Sequence, residues 1–234
     1  MDNVIVGIPT YDGQVHSGII GAMRSASKYK QVFLGTSKLS ILTHSFNSLW
    51  AGALNLRKQG ASHFCMLHAD IAPEDFWLDK MLEIFHAKKA SVLSAVMPIK
   101  SSSGFTSTAI ETDNPWRPKR YTMTEIDAMP EPTFTHEKLL INTGLMLVDI
   151  TQPWVEKICF KFTDYIELKD GKYYAYNVPE DWNFSKDARA LGASLWATRS
   201  VKAMHHGNAA YPNYGVWGTK ETDLIDNSQI KAIW

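Results

Sequence analysis

Phe64-Cys65-Met66-Leu67-His68-Ala69-Asp70-Ile71-Ala72-Pro73-Glu74-Asp75 is the stretch that decides how the chain is read. Phe64 to Leu67 make a short buried strand, and His68, Ala69 and Asp70 end it. Pro73 followed by two acids predicts the first turn of a helix, since proline and carboxylates both favour that position. Strand, acid and helix in that order form the unit of a parallel sheet covered by helices, and such sheets bind ligands at the carboxyl ends of their strands.

The flanking sequence repeats this unit. Val4 to Ile8 is a strand ended by Pro9; Thr10 to Gly13 form a turn, a helical stretch runs to about Ser27, and Gln31 to Leu34 is a second strand. Phe46, Leu49, Trp50, Ala53 and Leu54 recur at helical spacing, with Gly60 as the stop, and Val92 to Val96 is a further strand. From Lys100 to Glu137 serine, threonine, proline and glycine break every period, which predicts a long irregular excursion suited to a lid or an acceptor-binding segment. Leu139 to Ile150 reads as a strand around Asn142, Thr143 and Gly144, and a helix starts near Pro153. Glu180 to Leu191 is a helix stopped by Gly192, then come a strand at Leu195 to Thr198 and the polar run His205-His206-Gly207. The expectation is one α/β domain over residues 1–234, with a mostly parallel central sheet, a nucleotide-binding half at about 1–99 and an acceptor-binding half at about 100–234.

Bulk composition narrows the function. At 234 residues, 45% hydrophobic and 21% charged, the chain can bury a large core without disulfides. Lysine plus arginine, 24, equals aspartate plus glutamate, 24, so nucleic acid is unsupported as a partner. Cys65 and Cys159 lie far apart in apolar surroundings, which predicts buried thiols in a reducing compartment, the cytoplasm. No segment reaches the roughly 18 to 20 apolar residues of a membrane span, so no integral membrane segment is expected.

Three groups carry the chemistry. A carboxylate at a strand end, such as Asp70, suits a hard divalent cation bridging phosphates, and equally suits a turn or helix cap. Glu180 and Asp181 after Pro179 suit N-terminal placement on a helix, and equally a general base in a cleft. His205 and His206 have the ordinary fates of histidines open to them, but an imidazole can join an aspartate on a metal such as manganese.

The order of these elements resembles the GT-A glycosyltransferases, in particular the family 2-like nucleotide-diphospho-sugar transferases. His68-Ala69-Asp70-Ile71-Ala72-Pro73 is similar to the segment around their D-x-D motif, with His68 at the first aspartate and Asp70 at the last. Ile8-Pro9-Thr10-Tyr11 resembles the first strand and turn that hold the nucleotide, and Asn47 falls in the matching helix. Ile141-Asn142-Thr143-Gly144-Leu145-Met146 is similar to the strand at the donor and acceptor junction. Pro179-Glu180-Asp181-Trp182 resembles the E-D helix, and His205-His206-Gly207 the late metal-ligand position.

The resemblance implies transfer of a sugar from a nucleotide diphosphate donor to an acceptor hydroxyl, with inversion. It implies Mn2+ or Mg2+ on Asp70 and His205, with His206 as the fallback ligand. Donor contacts would come from Pro9, Thr10, Tyr11, Asn47, His68, Ala69 and Asp70; junction contacts from Asn142, Thr143, Gly144 and Trp182; and the base from Asp181, or Glu180. The chain leaves the sugar, the nucleotide and the acceptor unnamed. A nucleotidyltransferase is a rival, although Tyr11 to Ser17 holds one glycine and no lysine or arginine. A catalytically silent carbohydrate-binding or interaction module is the other, because His68 replaces a motif aspartate.

Overall fold

The computed structural model describes residues 2–28, 31–114 and 116–219; the end of the expected domain, 220–234, lies outside the described residues. In chain order the strands are β1 (Asn3–Thr10), β2 (Gln31–Lys38), β3 (His63–Leu67), β4 (Ile71–Pro73), β5 (Val92–Ala95), β6 (Phe105–Ile110), β7 (Lys119–Thr122), β8 (Thr133–Phe134), β9 (Leu139–Leu140), β10 (Leu145–Asp149), β11 (Thr163–Lys169), β12 (Lys172–Val178), β13 (Leu195–Thr198), β14 (Ala203–His206) and β15 (Ala210–Pro212). The helices are α1 (Ser17–Arg24), α2 (Leu42–Asn55), α3 (Trp77–Lys88), α4 (Met123–Asp127) and α5 (Glu180–Ala190).

Among the described residues the central sheet has seven strands in the order β2-β1-β3-β10-β5-β13-β8. β1 runs parallel to β2 and β3, β13 runs parallel to β5, and β10 and β8 run against their neighbours. The sheet is therefore mostly parallel, and it draws strands from both halves of the chain. Alternation along the strands feeds two cores. Phe64 and Met66 of β3 face Phe46, Leu49 and Trp50 of α2 and Phe184 of α5, whereas Cys65 and Leu67 face Ile19 of α1 and Trp77, Leu78 and Met81 of α3. Helices thus cover both faces.

Several expectations are corrected. Pro73 does not open a helix: it ends β4, which pairs with β14, and Glu74 is held to Lys202 by two backbone-directed bonds of 2.9 Å. α3 starts only at Trp77, after Phe76 in left-handed backbone at φ 57°. The segment at 100–137 is not irregular, since β6, β7 and β9 form an antiparallel sheet and α4 carries a capping box of Thr122 and Glu125. Its buried faces use Thr106 and Thr108, and a register shift between Phe105 and Ala109 breaks the alternation, so no apolar period marks it. Leu139 to Ile150 is two strands broken at 141–144, and the expected helix at Pro153 is a 3-10 turn, Pro153–Lys157. Cys159 is exposed, because its extended segment turns Ile158 and Phe160 inward instead; Cys65 is buried, which pushes its thiol pKa up.

Among the described residues no helix is long and apolar enough to cross a membrane. Phe64 is fully buried, edge-on to Trp50 at 5.5 Å between ring centres. Phe64→Ala is expected to lower unfolding stability by about 3–5 kcal/mol in urea titration, the range of a large-to-small change in a packed core.

Candidate functional site

The carboxyl ends of β1 and β3 lie side by side, and a cleft of about 480 Å³ opens there. Pro9, Thr10 and Tyr11 line it from β1, His68, Ala69 and Asp70 from β3, and His206 and Gly207 from the end of β14. Local bonds shape each wall. The Thr10 hydroxyl donates to the Ser37 carbonyl at 3.0 Å and accepts from the Gly13 amide at 3.2 Å, which leaves Tyr11 projecting, 75% exposed. The His16 amide donates to the Ala69 carbonyl at 2.8 Å, and the His206 amide to the Asp70 carbonyl at 2.8 Å. The rings of His16 and His206 stack at 3.6 Å, which closes one side of the cleft.

Asp70 is the electrostatic centre of the cleft. Its Oδ2 accepts from the Lys100 ammonium, whose stem lies flat over Gly207; a Cβ on that glycine would come within 2.8 Å of Lys100 Cδ. Its Oδ1 is buried and has no hydrogen-bond partner among the described residues, with His205 Nε2 3.6 Å away. His205 Nδ1 donates to the Pro98 carbonyl at 2.8 Å, which turns the other ring nitrogen, Nε2, toward the carboxylate. An imidazole nitrogen and a carboxylate oxygen facing each other at 3.6 Å fit a shared cation, since ligand bonds of about 2.0–2.2 Å span such a gap. Asp70 and His205 therefore fit a divalent metal. Burial alone would raise the Asp70 pKa, but the His205 and Lys100 interactions outweigh it and hold the carboxyl well below the usual range. Burial pushes His68 down to about 4, against the pull of Asp70, so its imidazole is neutral; its Nε2 lies 3.3 Å from the Thr143 hydroxyl.

The junction residues are brought beside this cleft and have mixed roles. The His68 amide donates to the Gly144 carbonyl at 2.8 Å, and a Cβ on Gly144 would sit 2.5 Å from Ile71 Cδ1, so the two segments pack at backbone contact. Asn142 points inward: its amide donates to the Ala95 carbonyl at 2.7 Å and accepts from the Gly144 amide at 3.0 Å. It shapes the junction without lining the cleft. Asn47 is a correction of the same kind, because its side chain brackets the Phe160 backbone with two bonds of 2.8 Å and does not line the cleft.

Glu180 and Asp181 are both at least nine-tenths buried at the start of α5, and neither caps the helix from outside, where Pro179 stands. Burial first, then Glu180, raises the Asp181 pKa well above normal; the Trp182 amide and Arg120 oppose this. Burial likewise raises Glu180. α5 is tied to the junction through Ser185, which donates to the Asp181 carbonyl at 2.7 Å and accepts from the Ile141 amide at 3.0 Å. Trp182 is buried under Arg120, its indole donating to the Ser107 carbonyl at 2.9 Å, so it packs the junction's far side. Sequence reasoning missed Lys100 and His16. Lys100 had a signal, a cation five residues past a parallel strand on the face that carries Asp70; His16 had none.

His68 supplies a pH signature. An unfolded histidine titrates near 6.5, so between about 6.5 and 4 the unfolded chain takes up a proton that the folded chain refuses. Stability is then complete above this window and falls as pH drops through it, by at most about 1.4 kcal/mol per pH unit. His68→Asn is expected to remove that slope from chemical denaturation measured between pH 7 and 4. Asn47→Ala is expected to destabilise by about 1–3 kcal/mol through the lost Phe160 bonds, and to leave ligand affinity in the cleft unchanged in calorimetry.

No family model matches the chain, and no curated protein matches it. The crystal structure of A197 from STIV is similar, with a TM-score of 0.56 and 13% identity over 88% of this chain and 86% of that one. At that identity the likeness concerns the fold alone, a mixed α/β domain with helices flanking a large, mostly parallel sheet.

Proposed function

We propose that this chain is a metal-dependent glycosyltransferase of the GT-A type, moving a sugar from a nucleotide diphosphate to an acceptor hydroxyl. One observation carries the reading: Asp70 Oδ1, buried and without a hydrogen-bond partner among the described residues, faces His205 Nε2 at 3.6 Å at the carboxyl end of the parallel strands. Two segments that the resemblance assigns to the donor, Pro9 to Tyr11 and His68 to Asp70, meet in that cleft with His206 and Gly207 of the run it assigns to the metal. His205, not His206, has the geometry of the second ligand; His206 lines the cleft wall. Mn2+ or Mg2+, when bound, would neutralise charge on the leaving diphosphate.

The chain's own groups supply the rest. Asp70 stays ionised throughout the physiological range and provides the anionic anchor. Lys100, already against Asp70, adds a positive charge beside the diphosphate. Tyr11, projecting at the rim, offers a face for the nucleotide base. Asp181 accepts the proton of the attacking acceptor hydroxyl, its raised pKa making it a stronger base than an exposed carboxylate; Glu180 is the alternative. A single displacement of this kind inverts the anomeric centre. The free thiols of Cys65 and Cys159 suit a reducing compartment such as the cytoplasm.

The Lys100 ion pair also favours a second reading, a binding module in which the lysine replaces the metal. Thermal-shift measurements with nucleotide diphosphates and their sugars, with and without Mn2+, separate the two. The transferase reading expects stabilisation that needs Mn2+ and disappears in Asp70→Asn; equal stabilisation without metal favours the module. Asp181→Asn is expected to bind donor normally and to lose transfer by about 10²–10⁴-fold. The same variant is expected to be more stable than wild type at neutral pH. A carboxyl whose folded pKa is raised loses stability as pH climbs from its unfolded value toward the folded one, and asparagine escapes that loss.

A further inference from the structure

A second group of ligand-type side chains lies at the other end of the sheet. Asp2 precedes β1, His63 opens β3, and His86 sits in the last turn of α3; one ligand atom from each falls within 4.8 Å of the others. His86 Nε2 is 3.2 Å from Asp2 Oδ2, and His63 Nδ1 is 3.9 Å from Asp2 Oδ1. β1 and β3 are parallel neighbours, so this group stands at their amino ends, the length of β3 from the cleft, about 17 Å at the rise of a strand.

The geometry points to a zinc site made by Asp2, His63 and His86 that clamps the start of the chain to the sheet and to α3.

Three donors held about 2.0–2.1 Å from tetrahedral zinc stand about 3.3 Å apart; His86 Nε2 is already near that distance from one Asp2 oxygen, and with the three ligand atoms all within 4.8 Å of one another, closing on a shared ion takes movements of at most about 1.5 Å. Two imidazoles and one carboxylate suit zinc or cobalt, whereas magnesium and calcium seek all-oxygen shells. His63 is buried, with Phe85 edge-on to its ring at 5.2 Å, so one ligand is fixed by packing before any metal arrives. Its Nδ1 also lies 2.9 Å from the Ser62 hydroxyl, and that hydroxyl has the Asn3 carbonyl 3.3 Å away as another acceptor when the nitrogen takes a metal. His86 lies where the carbonyl end of α3 favours positive charge. A groove of about 430 Å³ bordered by His63, His86 and Asp149 gives an entry path and room for a water as fourth ligand. Asp149 is already engaged, accepting from Thr151 and Gln152.

The test is calorimetric titration of Zn2+ into the chain without a polyhistidine tag, in the Asp70→Asn background so that the cleft does not contribute. The expected result is one Zn2+ per chain, a rise in Tm on binding, and a visible absorption band of tetrahedral symmetry when Co2+ is used instead. His86→Ala is the decisive variant, because His86 is 54% exposed and its loss should leave the fold intact by circular dichroism. Its Zn2+ affinity is expected to fall at least tenfold, and that of Asp2→Asn likewise. No Zn2+ binding in the Asp70→Asn background, or binding that His86→Ala leaves unchanged, overturns the proposal. Neither outcome bears on the cleft, whose donor binding is read with Asp70 intact.

Discussion

The antiparallel insertion of β10 between β3 and β5 is the constraint on which the site depends. Because β10 runs against β3, Leu145 pairs with Leu67, and the start of one strand lies beside the end of the other. The residues just before β10 are thereby placed against the residues just after β3. A parallel strand in that position would send 141–144 to the far end of the sheet. The insertion also leaves a backbone problem, since the turn at 141–144 is buried and its polar groups must be paired. Asn142 solves most of it, joining the Ala95 carbonyl and the Gly144 amide, while Ser94 donates to the Asn142 carbonyl at 2.8 Å. These bonds fix Thr143 toward His68 and place Gly144 where a Cβ would sit 2.5 Å from Ile71 Cδ1, so any larger residue has to displace that side chain.

Charge in the cleft follows from that packing. Asp70 brings one negative charge into a partly dry corner, and its two oxygens meet different answers, an ammonium on Oδ2 and the imidazole Nε2 of His205 facing Oδ1. Neutral His68 adds no second negative charge where a D-x-D motif has one, so the corner demands less positive charge than a two-carboxylate site would. Lys100 already supplies one unit. Lys100 thus balances the one carboxylate of this corner by itself, which is why the choice between catalyst and module turns on it.

The central sheet was legible where one face or both faces of an element are apolar over several residues. β1, β3, β5 and β13, the stripe of α2 and the stop at Gly192 all follow from period and composition. The structure between 100 and 137 was not, because its strands bury threonine hydroxyls and its alternation is interrupted by the shift after Phe105. Thr122 and Glu125 carried the one local signal there. The hairpin of β11 and β12 was equally hidden: most of its side chains are exposed, so no face had to be apolar. At the site, Asp70 drew attention from its position after a strand, whereas His16, which lines the same cleft, carried no such signal. Asn47 and Asn142 pin buried backbone and do not line the cleft, a placement the sequence could not show because an asparagine that pins backbone and one that binds a ligand look the same there.

The acid pair at the head of α5 offers the strongest physical contrast with a purely structural reading. Two adjacent carboxyls can stabilise a helix N-terminus while remaining in water, where each contributes about 0.3–1 kcal/mol. Here both are buried, Glu180 further opposes ionisation of Asp181, and the penalty for removing a carboxylate from water is still several kcal/mol after relaxation. Asp181 recovers part of this through the Trp182 amide and Arg120, but its pKa stays high. A serine or asparagine would satisfy the same helix end without that penalty. Burial of this kind perturbs a carboxyl where a merely capping one stays in water, and a bonded path through Ser185, Ile141 and Thr143 ties the pair to His68.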